Sequence, residues 1–167
     1  MRQMVGLKFK IKYILSRIIA FLPSNFLRVN LYRILLRYKI GKKVKIGFGT
    51  YIHADKVRIE DDVIIKNFNR IYYLDTLIIK RDASIGSRNS FHGAKFSIGR
   101  HPRPNYLEIG ENALVTSEHL LDASFGIIVG GGTWIAGRGC NFWSHGSTKR
   151  NDTIIIGEGS DLEPAAI

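Results

Sequence analysis

From Ile40 onward, large apolar residues return at every sixth position. Ile40, Ile46 and Ile52 form one set; Ile59, Ile65 and Ile71 the next; then Ile79, Ile85 and Phe91; then Ile109, Val115 and Leu121. Val129 with Ile135 and Ile156 with Leu162 continue the series. Four positions after the aliphatic stands a small or β-branched residue, as at Val44, Thr50, Val63, Ala83, Ala113, Thr133 and Ser160, and Gly or an acid often follows it directly. A helix repeats every 3.6 residues and a half-buried strand every two, so neither yields this pattern. A prism with three flat faces does. Each face takes six residues, one aliphatic side chain points inward per face, a small partner lets the corner close, and glycine relieves the backbone at the turn. Successive triplets begin at residues 40, 59 and 79, close to the roughly eighteen residues that three such faces require, and the surplus forms bulges or loops at corners. The pattern predicts an all-β fold, a parallel β-helix of hexapeptide repeats over residues 40–167.

Residues 1–39 follow another rule. KFKIKYILSRIIAFLP has the apolar spacing of a short amphipathic helix that stops near Pro23. SNFLRVNLYRILLRYK predicts a second helix, with Ser24 or Asn25 as its cap. Phe26, Leu27, Leu31, Ile34, Leu35 and Tyr38 recur at helical spacing, with Arg28, Arg33 and Arg37 largely elsewhere on the wheel. Arg17 interrupts the most apolar stretch, which is too short to span a bilayer and carries no signal-peptide cleavage pattern.

Charge sharpens this division. The formal net charge is +11, yet residues 1–45 contain twelve Lys and Arg and no acid, while the remainder holds thirteen bases against fourteen acids. The positive charge belongs to the first segment, which argues against nucleic-acid binding over the body of the protein. Two uses fit the segment: a helix pair lying on an anionic membrane surface, and a helical cap packed on the end of the β-helix with its charges in water. Cys140 is the single cysteine, so no intramolecular disulfide forms, in keeping with a reducing compartment. Its expected role is that of a small buried apolar residue.

Within the repeat, SEHLLDASFGIIVGGGTWIAGRGCNFWSHG concentrates the reactive side chains. His119 lies four after Val115, at the position that elsewhere holds Val, Thr, Ala or Ser, so its polar ring needs the coil to open or a neighbouring subunit to receive it. His145 occupies the comparable place in a hexapeptide counted from Asn141, one coil later. Both imidazoles suit proton transfer near neutrality, and Trp143 beside polar groups suits a sugar ring.

Residues 40–167 resemble the hexapeptide-repeat, left-handed β-helix acyltransferases, and more narrowly the O-acetyltransferases that modify sugars of bacterial surface polysaccharides. The resemblance rests on the repeat and on His119, Asp122, Val129, Gly130, Trp134, Ile135 and Ala136, which stand where such enzymes carry a His, a nearby Asp and an aliphatic-Gly hexapeptide ending in Trp-Ile-Gly or similar. It implies a left-handed coil, a homotrimer with acetyl-CoA as cosubstrate between adjacent prisms, and a sugar, nucleotide-sugar or lipid-linked saccharide as acceptor. It also implies a cytoplasmic setting, peripheral on the inner face of the cytoplasmic membrane. By the same resemblance His119 is the general base oriented by Asp122, with His145 competing for that role or binding acceptor with Asn141 and Trp143. Trp134, Ala136 and Gly137 line the cosubstrate, the Ala136 and Gly137 amides facing the oxyanion. The family also implies further coils beyond Ile167, which keeps open a second reading: an inactive β-helix that serves as an assembly or binding module.

Other candidates reduce to structure. His53, His92 and His101 sit at irregular points and read as surface or loop residues. No closely spaced histidine pair accompanies the lone Cys140, so no metal site is expected. GIIVGGGTW lacks the following helix that a dinucleotide site needs. SIGRHPRPNYLEIG breaks the six-residue rhythm with two prolines and reads as an excursion loop, where Arg100, His101 and Arg103 would suit an acidic sugar but are expected to be solvated.

Overall fold

The computed structural model describes residues 2–94, 105–145 and 152–162, with side chains from Phe9 onward. Two helices, α1 (Arg2–Ala20) and α2 (Asn25–Leu35), precede the strands. These are β1 (Lys39–Ile40), β2 (Lys45–Ile46), β3 (Tyr51–Ile59), β4 (Ile64–Ile65), β5 (Arg70–Ile79), β6 (Ser84–Ile85) and β7 (Ser90–His92). After the excursion come β8 (Tyr106–Ile109), β9 (Leu114–Ser117), β10 (Leu120–Asp122), β11 (Ile127–Val129), β12 (Trp134–Arg138), β13 (Asn141–Trp143), β14 (Ile154–Ile156) and β15 (Asp161–Leu162). Every pairing among them is parallel. Most of Arg100, His101 and Arg103's loop lies outside the described residues, those three included.

The strands stack as three ladders. The first runs β2–β4–β6–β9–β12–β15 and aligns Ile46, Ile65, Ile85, Val115, Ile135 and Leu162. The second aligns Ile52, Ile71, Phe91, Leu121 and Phe142. On the third, Ile40, Ile59, Ile79, Ile109, Val129 and Ile156 are in register. β3 and β5 are long because each turns a corner from the second face to the third, pairing on both sides of it with a register shift between His53 and Ala54 where Tyr73 is the extra residue. The aligned side chains form one continuous core, with Ile40, Phe142 and Leu162 partly buried against it, so the six-residue period is the period of inward positions. One count shifts. The register slips between Ile135 and Arg138, one extra residue enters at this bulge, and Phe142 rather than Asn141 takes the inward place opposite Leu121.

The corners work differently from the sequence expectation. Left-handed backbone falls three residues after the inward aliphatic, at Lys43, Asp62, Asp82 and Asn112 and again at Phe68, Arg88 and Glu118. The glycine directly after the aliphatic answers another demand, close approach of the next coil. A Cβ on Gly110 would come within 2.5 Å of the Gly130 carbonyl carbon.

The first coil would expose an unpaired strand edge; α2 covers it. Asn25 donates to Val44 O and accepts from Ile46 N at 2.8 Å, Arg28 donates to Ile46 O at 2.8 Å and to Leu22 O, and Arg33 donates to Ile40 O and Gly41 O. The Tyr32 hydroxyl lies 3.2 Å from Ser16 O and Thr50 O and accepts from Ile52 N; Tyr38 does the same for Ile52 and Ala54. Arg28 is only 5% exposed, so this part of the basic segment is a packed cap. Asn25 is spent on the coil edge, and Ser24 occupies the N-cap position without a side-chain bond. α1 packs beside β3, where Phe9 and Tyr13 meet the His53 ring edge-on and Lys12 pairs with Asp55 at 3.3 Å. His53 is therefore fully buried rather than on the surface.

Candidate active site

The two histidines singled out by sequence occupy unlike surroundings. His119 ends a column of buried polar side chains, Thr50, Asn69 and Asn89, at the corner between the first and second faces. Each member accepts a hydrogen bond from the backbone amide of its counterpart in the next coil: Thr50 Oγ1 from Asn69 N at 3.0 Å, Asn69 Oδ1 from Asn89 N at 2.9 Å, and Asn89 Oδ1 from His119 N at 2.8 Å. His119 Nδ1 continues the series by accepting from Cys140 N at 3.1 Å. An acceptor Nδ1 places the proton on Nε2, which lies 2.8 Å from Thr116 Oγ1. The hydroxyl in turn has Ile135 O and Gly137 O as acceptors. The ring is 1% exposed, and burial holds its pKa below the ordinary imidazole value. The coil accommodates this ring without opening, because the column was polar from Thr50 upward. Asn69 and Asn89 are the signal that the list of small residues passed over.

His145 stands at the far end of the second face. In register on that ladder, Tyr72, His92, Asp122 and Trp143 each follow an inward residue directly. Phe142 anchors β13 between Asn141 and Trp143, which both face solvent. Ser144 then hooks the chain down: its hydroxyl donates to Asp122 O at 2.7 Å and accepts from Phe125 N at 2.9 Å, and its amide also reaches Asp122 O. That turn brings His145 Nδ1 to 2.8 Å from Asp122 Oδ2. The carboxylate lies off the line of the ring N–H, and among the described residues Nδ1 has no hydrogen-bond partner. Asp122 is 2% exposed, and its other oxygen, Oδ1, accepts from Ser124 N at 3.1 Å and Ser124 Oγ at 2.5 Å. With Nδ1 buried, the accessible part of the His145 ring is its remaining atoms.

His92 joins the same group. Its Nδ1 is buried with no hydrogen-bond partner among the described residues, and its ring meets Tyr72 edge-on at 5.4 Å. Burial lowers its pKa, against the pull of Asp122. His92, expected from its irregular position to be a surface or loop residue, instead lies partly buried at the end of β7, and Ser124 and Ser144 carry no signal in the sequence. The register offers the missing signal for His92, which follows Phe91 as Asp122 follows Leu121.

Trp143 is exposed beside His145, with ring centroids 6.4 Å apart. Asn141 shares its face and bonds Gly139 O. Trp134, also exposed, projects from the first face, and Ala136 and Gly137 form the bulge where the chain leaves that face. β13 lies between that bulge and His145, so within one chain the expected cosubstrate residues and the Asp122–His145 pair occupy opposite ends of this strand. Cys140 is half-buried with its thiol pKa pushed up by burial, Sγ resting 3.7 Å from Ala136 O. Among the described residues no group of His, Cys, Asp or Glu is arranged to hold a metal ion. Comparison of the chain with protein-family models, curated proteins and solved structures found no match.

Proposed function

We propose that the chain is a left-handed β-helix O-acetyltransferase that transfers the acetyl group of acetyl-CoA to a sugar hydroxyl in surface-polysaccharide synthesis. The observation that carries this reading is the buried Asp122 carboxylate 2.8 Å from Nδ1 of a half-exposed His145. A carboxylate against one ring nitrogen favours the tautomer whose proton sits there and leaves the other nitrogen as base. His145 then takes the role that resemblance alone assigned to His119, whose basic nitrogen is committed to Cys140 N.

In this mechanism the acceptor hydroxyl lies on the platform of Trp143 and Asn141. His145 Nε2 removes its proton as the oxygen attacks the thioester carbonyl. Collapse of the tetrahedral adduct breaks the C–S bond, and the proton on His145 passes to the departing CoA sulfur. Asp122 balances the imidazolium between the two steps. Backbone amides at Ala136 and Gly137 serve the oxyanion, a contribution of about 3 kcal/mol where a donor is well placed. Because that bulge and His145 are at opposite ends of β13, a site using both joins two protomers, which favours the homotrimer. Acetyl-CoA as donor places the reaction on the cytoplasmic side.

The test is acetyl-CoA-dependent thiol release with a panel of free, nucleotide-linked and lipid-linked sugars. His145→Ala is expected to lower kcat by about 10²-fold or more, the range of general base catalysis. An unchanged rate in that variant overturns the assignment. No transfer to any acceptor by the intact protein would favour the binding-module reading.

A further inference from the structure

We infer that the outward faces of α1 and α2 form a docking surface for an anionic lipid bilayer. The inference is independent of the acyl-transfer reading. On α1, Ser16, Ile19 and Ala20 are buried against the body of the protein, and the stripe opposite them carries Ile11, Ile14 and Ile18, with Phe21 just past the helix end, each exposed by about half. On α2 the buried side is Arg28, Val29 and Tyr32. Its outward side presents Phe26 at 73% and Ile34 at 70% exposure, joined by Leu27 and Leu35. Much of the apolar spacing legible in the sequence, Phe26, Leu27, Ile34 and Leu35 on α2, therefore faces solvent, while Val29, Tyr32 and Leu36 join Arg28 in covering the coil.

Isolated exposed aliphatics are ordinary, but two neighbouring helices that each expose several large apolar side chains imply a partner. Charge identifies it. Exposed Lys10 and Arg17 stand on α1, exposed Arg37 and Lys39 follow α2, and residues 1–45 contain no acid. Apolar residues accompanied by bases match the two layers of an anionic membrane surface, acyl chains below and phosphates at the level of the cations. Neither helix is long and apolar enough to cross a bilayer, so this surface lies on the membrane.

The experiment uses the full chain and vesicles of phosphatidylcholine with or without phosphatidylglycerol. Co-sedimentation is expected with the anionic vesicles, much less with the neutral ones, and less again in 1 M salt. Ile14→Ser/Ile18→Ser/Ile34→Ser alters only exposed side chains and is expected to lower vesicle partitioning by about tenfold or more with the thermal transition unchanged. Lys10→Glu/Arg37→Glu is expected to remove the preference for anionic lipid. Failure of the intact protein to bind anionic vesicles, or equal binding by the triple variant, overturns the inference. So does a concentration-dependent self-association that the triple variant abolishes while vesicle binding is absent, since the face would then belong to a second copy.

Discussion

His119 and His145 differ in where the nitrogen lone pair points. In His119 the Nδ1 lone pair receives a backbone amide inside the coil, so the ring behaves like the asparagines beneath it. On the proposed mechanism, His119→Asn is therefore expected to keep a folded protein and most of the acetyl-transfer rate, whereas His145→Ala is expected to lose about 10²-fold. The reverse order of sensitivities in steady-state kinetics would return the catalytic role to His119. His53 permits a pH prediction. Burial holds its pKa down to about 4, below the unfolded value of about 6.5. The unfolded chain thus binds protons first as pH falls. The stability due to neutral His53 is complete above the unfolded value and is lost through the window from about 6.5 down to about 4. His92 and His119 are shifted in the same direction. Chemical denaturation midpoints are expected to drop across that window, and to drop less in His53→Gln. An identical slope in that variant would remove His53 from the account.

At the scale of the element, the informative unit is α2, a helix whose buried face terminates a β-sheet edge. A hydrophobic helix would cover the first coil but leave its amides and carbonyls without partners, at about 1–3 kcal/mol for each buried group. Arg28, Arg33, Tyr32 and Tyr38 reach those groups with side chains long enough to cross from helix to strand. Tyr32→Phe preserves the ring and strands Ile52 N. It is expected to cost about 1–3 kcal/mol in equilibrium unfolding; a loss under a few tenths would show that the edge is satisfied by other means. The bulge at Ala136–Gly137 is the second informative element, because its extra residue turns Phe142 inward and leaves Asn141 and Trp143 outward. Without that slip, β13 would present the opposite set of side chains.

For the whole molecule, the two ends carry different tasks. The helices close the first coil, and the Asp122–His145 pair lies on the later coils. β13 stands four strand spacings above β3 along the second ladder, roughly 19 Å at about 4.8 Å per step. Three chains arranged as proposed would bring three docking surfaces to one side, and linked sites bind far more tightly than one. Light scattering on the purified protein is expected to give a mass near three times 18.9 kDa; a monomer at working concentrations would contradict a site shared between protomers.

The solenoid was legible in the six-residue period alone. One inward side chain per six residues is a local rule, repeated with little variation from Ile40 to Leu162, and local rules survive without knowledge of neighbours. The sequence also showed that a basic helical segment precedes the coils, and it singled out His119, Asp122, Trp143 and His145 as a region of chemistry. What it left open depends on contacts between residues far apart in the chain. Which side of α2 is buried could not be read from its apolar spacing, because the need at that end was for hydrogen-bond donors rather than for more hydrocarbon. The use of His119 turned on Asn69 and Asn89, thirty and more residues earlier, which align with it only after the coils stack. His145 meets Asp122 across adjacent coils, through a one-residue slip that no six-residue count contains. Tertiary structure decided these points because hydrogen-bond partners and register are properties of stacked strands, whereas the inward period is a property of one.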